Sequence, residues 1–144
     1  MKKILSAALA IFLTFSLSAC TKTAKKSDEN KGTTTGKYKD GTYTGKGDPW
    51  QYGSEEAIVE IKDSKITSII LKRLDKEGKE VNYEDWRGQE VGGKVYPNLK
   101  QYRMDMSKKM LEKQSADVDT ITGATVSTKN WKVAVQRALD QAKK

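Results

Sequence analysis

Two strand-patterned runs joined by a short polar turn constrain this chain more than any other stretch. Glu56 to Lys62 sets Ala57, Val59 and Ile61 on one side, and Lys65 to Leu74 returns after Asp63-Ser64. Alternation with period two, broken by a polar pair, specifies an antiparallel hairpin. The returning run carries Ile66, Ile70 and Leu74 on one side and Ile69 and Leu71 on the other. Apolar residues on both sides predict a strand covered on both faces. Upstream, Tyr38 to Gly45 joins an Asp-Gly turn signal to alternating Thr-Tyr-Thr and predicts a third strand. Gly45 to Ser54 reads as a loop of Gly, Pro and aromatic residues.

The rest of the chain changes period. Asp75 to Gly93 is polar, with Tyr83 and Trp86 among acids and glycines, and reads as a long loop with room for a short helix or strand. Tyr96-Pro97-Asn98 ends it and starts a helix running to about Gln114, with Leu99, Tyr102, Met106 and Met110 as its buried stripe. A final helix, Ser127 to Lys143, buries Trp131, Ala134, Val135, Ala138 and Ala142; its alanines permit close approach to a sheet or a partner helix. Lys143 and Lys144 complement its dipole. Three strands, a helix, a turn and a helix predict an α+β domain, with helices packed on a small antiparallel sheet.

The N-terminus is of another kind. Met1-Lys2-Lys3 and the apolar Ile4 to Leu17 form the basic and apolar regions of a signal peptide, too short for a membrane span. Leu17-Ser18-Ala19-Cys20 resembles the lipobox of bacterial lipoproteins, in which the cysteine receives diacylglycerol and becomes the first mature residue. That resemblance implies a signal peptide over 1–19, Cys20 as the lipidation site and a thiol consumed as a thioether. Thr21 to Gly36 is rich in Lys, Thr, Ser and Gly and too polar to order itself, so 20–36 reads as a tether and 37–144 as the folded domain. The formal net charge is +8, from 27 Lys and Arg against 19 Asp and Glu, and loss of Lys2 and Lys3 lowers it to +6. The lysines are interspersed with acids and form no Arg-aromatic stripe, which disfavours nucleic acid and favours anionic lipid or wall polymer. With no His and one Cys, His-based catalysis, His-metal sites and an internal disulfide framework are excluded, and no metal site is expected.

The chemistry concentrates in Asp119-Thr120-Ile121-Thr122-Gly123-Ala124-Thr125, just before the final helix. Its small residues let a bulky ligand approach the backbone. Two hydroxyls flank a Gly-Ala pair, and unpaired N–H groups at a helix start favour a phosphate. Thr125 or Ser127 would equally make an ordinary N-cap.

The order Asp-x-x-Thr-Gly-Ala-Thr before a C-terminal helix resembles the flavinylation motif of the FMN-binding domain family. That family includes the flavinylated subunits of the sodium-pumping NADH:quinone reductase and of Rnf, and small surface lipoproteins of extracellular electron transfer. The opening Asp40-Gly41-Thr42-Tyr43-Thr44-Gly45 is similar to the start of such domains. The resemblance implies FMN joined by a phosphoester to Thr125, with Asp119, Thr122, Gly123 and Ala124 as motif neighbours. It also implies a separate flavin transferase that uses FAD and a divalent metal. Two departures stand out. Val126 follows the motif where many members have Ser or Thr, and Lys72-Arg73-Leu74-Asp75 replaces a His-Glu-Thr-like element.

Trp50, Tyr52, Tyr83 and Trp86 are the candidates for a wall against the flavin ring. The expectation is a lipid-anchored protein on the extracytoplasmic face of the cell membrane. It would carry electrons from a quinone-linked or NADH-linked dehydrogenase to a downstream acceptor, a carrier in preference to a reductase with its own acceptor, and the lack of a dinucleotide fingerprint argues against direct oxidation of NADH. The alternative is a solute- or wall-binding lipoprotein without a redox cofactor.

Overall fold

Asp63 (φ 52°) and Ser64 (φ 60°) both lie in the left-handed region, the primed turn geometry that suits a twisted hairpin. They join β2 (Ser54–Lys62) to β3 (Lys65–Leu74), and β1 (Gly41–Lys46) pairs antiparallel with β2 to complete a sheet of order β1-β2-β3. The computed structural model describes residues 36–144; the expected signal peptide, the Cys20 lipidation site and nearly all of the tether lie outside them. A 3-10 turn (Tyr83–Asp85) and a two-stranded ribbon, β4 (Glu90–Val91) and β5 (Lys94–Val95), occupy the long loop. Helices α1 (Leu99–Lys113) and α2 (Thr125–Ala142) follow, so the α+β architecture is as expected. Among the described residues, no helix is long and apolar enough to cross a membrane.

The expectation that β3 is covered on both faces is wrong. Ile61 pairs with Ile66 but Glu60 pairs with Ser68, so Thr67 has no cross-strand partner. This bulge shifts the phase of the strand. Ile66 before it and Ile69 and Leu71 after it therefore all face the core, whereas Ile70 is 48% exposed. One face of the sheet is packed and the other is open.

Helix α2 lies across β1 and β2, and α1 lies beside β3. Gly45 is what lets α2 come so close: a Cβ there would stand 1.9 Å from the Ala134 carbonyl oxygen. Trp131, Ala134, Val135, Ala138 and Leu139 of α2 meet Ala57, Val59, Ile61 and Leu71 of the sheet, with Leu99, Met106 and Met110 of α1 closing the same core. Asn98 caps α1 by accepting from Gln101 N at 3.1 Å, and Gln114 ends it in the left-handed conformation.

Both sheet edges are blocked by helix side chains. Gln114 of the α1 cap accepts from Ile66 N at 2.7 Å and donates to Ile66 O at 2.8 Å, and Ser107 donates to Ile69 O. On the β1 side, Gln141 donates to Thr44 O at 2.9 Å and Arg137 to Lys46 O at 2.7 Å. Edges occupied in this way offer little purchase to another strand.

Candidate functional site

Helix α2 begins at Thr125, two residues before the predicted start at Ser127, and this changes the reading of the motif. The cap position falls on Ala124, which makes no side-chain cap hydrogen bond. Neither Thr125 nor Ser127 caps the helix: Thr125 is its first residue and is exposed, while Ser127 is buried. The turn is pinned from behind instead. Thr128 Oγ1 donates to Ala124 O at 2.9 Å, and Ala124 N donates to Ile121 O at 3.2 Å. Gly123 supplies the left-handed backbone (φ 89°) and has nothing within 4 Å of where a Cβ would stand. The first amide bonded across the helix start is Thr128 N, to Ala124 O at 2.9 Å. The N–H groups of Thr125, Val126 and Ser127 therefore precede the intrahelical ladder, and all three residues line the site.

That mouth opens on a hollow of about 300 Å³. Residues 123–127 form one side of it; Trp50, Tyr52 and Trp86 form an aromatic side; Pro97 and Leu99 add apolar surface, and Arg73 contributes a charge. Trp50 and Tyr52 meet edge to face with centroids 5.3 Å apart, and Trp86 meets Tyr96 likewise at 5.4 Å. Three of the four expected aromatic residues are thus at the site. Tyr83 is not among its lining residues: its hydroxyl accepts from Arg73 N at 2.8 Å, and Arg103 lies 3.9 Å from its ring centroid.

The other motif residues sit apart from this hollow. Thr122 is exposed and outside the lining. Asp119 is exposed and belongs to a separate polar surface with Lys109, Lys113 and Lys132. A larger hollow of about 450 Å³ lies along α2 between Lys132, Arg137 and Asp140; it has no aromatic wall and does not reach the motif. No group of three or more His, Cys, Asp or Glu among the described residues is placed to hold a metal ion.

Beneath the aromatic side lies a charge pair that sequence reasoning missed. Glu55 is 0% exposed and Arg73 2%. Arg73 Nε stands 3.5 Å from Glu55 Oε1, an ion contact in which that oxygen accepts no hydrogen bond. The other oxygen, Oε2, accepts from Asn130 Nδ2 at 2.9 Å and Trp50 Nε1 at 3.3 Å. The guanidinium donates to the carbonyls of Tyr52, Ser54 and Leu74 and lies 4.6 Å from the centroid of Trp50. Burial pulls its pKa below the ordinary value, and Glu55 opposes this most strongly. The pair thus fixes the loop that presents Trp50 and Tyr52.

Burial also pushes the Tyr83 phenol up to about 12, from an ordinary 10.0. Because the folded value lies above the unfolded one, Tyr83 favours the fold below pH 10, and that contribution is lost as pH rises through about 12. An alkaline absorbance titration should show a late-ionising step from Tyr83. Tyr83→Phe should remove that late step; its persistence would count against the assignment.

Aromatic walls, small-residue backbone and unpaired amides suit a flat ring system with a phosphate arm. The volume is at the low end of ligand hollows, about 300–1,000 Å³, so a ring fits inside while an arm lies at the mouth. Comparison with known proteins agrees. No curated protein matches this chain. The crystal structure of the CPE2226 protein from Clostridium perfringens is similar, with 28% identity, a TM-score of 0.60, and 73% of this chain and 88% of that chain covered. The model of the FMN-binding domain matches residues 52–140, from Tyr52 in the aromatic loop through the motif to the last turn of α2. The chain belongs to the FMN-binding domain family.

Proposed function

We propose that this protein is a membrane-anchored, extracytoplasmic electron carrier whose FMN is held by a phosphoester on Thr125. The observation that carries the reading is the state of that side chain. Thr125 is exposed, its hydroxyl makes no hydrogen bond among the described residues, and it stands at the mouth of the aromatic hollow. A threonine kept for capping would be engaged with its own helix; this one is available for modification.

The residues present divide the work. The amides of Thr125, Val126 and Ser127, at the start of α2, would favour a phosphodiester on Thr125, an exposed dipole interaction worth about 0.3–1 kcal/mol. Trp50, Tyr52 and Trp86 would supply a wall for the ring. FMN itself supplies the redox chemistry, and the protein supplies position and electrostatics.

Threonine is a poor nucleophile at neutral pH, and the described lining of the hollow holds no carboxylate or His to act as a base, so a separate flavin transferase makes the bond. With FAD as donor, the threonine oxygen displaces AMP at the flavin-side phosphorus, and the hydroxyl proton is taken up by the transferase or solvent. Acylation at Cys20 moors the protein, and a quinone-linked or NADH-linked dehydrogenase upstream and an acceptor downstream complete the relay. A covalent bond keeps the cofactor from being lost by dilution outside the cell.

Expressed with a flavin transferase, the wild-type chain should show in-gel flavin fluorescence and Thr125→Val none. Thr122→Val should keep the signal. The Thr125→Val melting temperature should match wild type, because the hydroxyl supports nothing in the fold. Fluorescence retained in Thr125→Val and lost in Thr122→Val would move the acceptor.

A further inference from the structure

The domain has two poles, and they differ in charge. The hollow lies at one pole, where α2 begins and β3 ends. At the other pole, three parts of the chain are stitched together: the entry at residues 36–40, the β2–β3 turn, and the end of α2. Asp40 accepts from Asp63 N and Ser64 N, both at 2.9 Å. Ser64 Oγ donates to Tyr38 O at 2.7 Å, Lys144 Nζ donates to Ser64 Oγ at 3.3 Å, and Lys39 N donates to Ala142 O at 2.7 Å. Gly36 is so close to the turn that a Cβ on it would stand 2.0 Å from Ser64 Cβ.

This arrangement gathers lysines that are scattered in sequence. Lys37, Lys39, Lys62, Lys65, Lys143 and Lys144 are all exposed there. The acids on these three parts of the chain are Asp40, Asp63 and Asp140, of which Asp140 is engaged by Lys143 at 2.6 Å; the end of α1, held to Ile66 by Gln114, adds Asp117, which is engaged by Lys113 and Lys132. The loop that leaves β3 at the hollow's end has the opposite balance, with six acids and four bases between residues 75 and 95. Helix α2 runs from the hollow to this pole, and its 18 residues make it about 27 Å long at 1.5 Å per residue.

We propose that the lysine pole docks on the anionic headgroups of a lipid bilayer, with the FMN-binding hollow facing away from the membrane. Two things favour a bilayer as the partner. The positive pole and negative loop form a dipole that an anionic surface would orient. The chain that joins at this pole, at Gly36, also carries the apolar run Ile4 to Leu17 and Cys20 further upstream. The docking acts through headgroup charge and needs neither acylation of Cys20 nor a bound flavin, so its failure and theirs are separable.

The test uses residues 36–144, which contain every residue of the hydrophobic core and lack Cys20. Their partition is measured on vesicles of phosphatidylglycerol mixed with phosphatidylcholine, and on phosphatidylcholine alone. Binding is expected on the anionic vesicles only, weakening as salt is added. The combined variant Lys37→Gln, Lys39→Gln, Lys62→Gln, Lys65→Gln should reduce partition roughly fivefold per lysine removed. Lys76→Gln, Lys79→Gln, Lys94→Gln together should leave it unchanged, since that pole lies beyond a Debye length of about 10 Å at 0.1 M salt. Thermal melts confirm that both variants fold. Equal partition on both vesicles, equal loss in the two variants, or preference for a soluble polyglycerol-phosphate polymer over the anionic vesicles would overturn the proposal.

Discussion

Arg73→Met should destabilise the domain by about 3–5 kcal/mol, the cost of leaving one member of a buried ion pair alone. Glu55 is then the stranded charge: it is 0% exposed, and Asn130 and Trp50 can satisfy only Oε2. The carbonyls of Tyr52, Ser54 and Leu74 lose their donor in the same step. A urea titration reads the loss as a lower midpoint. Adding Glu55→Gln should recover part of it, because the coupling between neighbours is not additive. If Arg73→Met alone unfolds within about 1 kcal/mol of wild type, the pair does not hold the aromatic loop as described.

Trp131→Ala should cost a similar amount, about 3–5 kcal/mol for a fully buried aromatic side chain. Trp131 is 0% exposed at the centre of α2, and its Nε1 donates to Lys72 O at 2.9 Å. Truncation therefore leaves a cavity and an unpaired carbonyl on β3. Trp131→Phe separates the two effects by keeping most of the packing while losing the hydrogen bond, whose net worth is about 0.5–1.5 kcal/mol. Global unfolding by urea, followed by circular dichroism, measures both. An alanine variant no less stable than the phenylalanine variant would place Trp131 outside the core.

The parts of the fold written in local pattern were legible. The Asp63-Ser64 turn, the Asn98 start of α1, and the Trp131-to-Ala142 stripe each rest on a few neighbouring residues. The phase of β3 was not legible, because a bulge at Thr67 depends on how two strands align. The same bulge hides the buried pair. An unbroken register from Lys62↔Lys65 would set Arg73 opposite Ser54 and Glu55 opposite Lys72, whereas the shift sets Arg73 opposite Glu55. Lys72-Arg73-Leu74-Asp75 was noticed only as a departure from a familiar element, with no sign that Arg73 would line the hollow.

The site divides the same way. Trp50, Tyr52, Trp86 and Thr125 were named from sequence and meet around one hollow. Tyr83 was grouped with them by type and serves the Arg73 backbone instead. The contributions of Pro97 and Leu99 come from the N-terminus of α1 folding back toward the start of α2, a tertiary event with no local signal. The helix start was placed two residues late because hydroxyl residues are the usual caps; Ala124 takes that position, and Thr125 is left exposed.

Peptide mapping by mass spectrometry, on protein purified from its own host, decides whether Thr125 carries the flavin. An FMN phosphoester on Thr125 is expected in the peptide spanning the motif, in yellow protein that bleaches reversibly with reductant. Colourless protein whose motif peptide has its unmodified mass would show that Thr125 is not the acceptor.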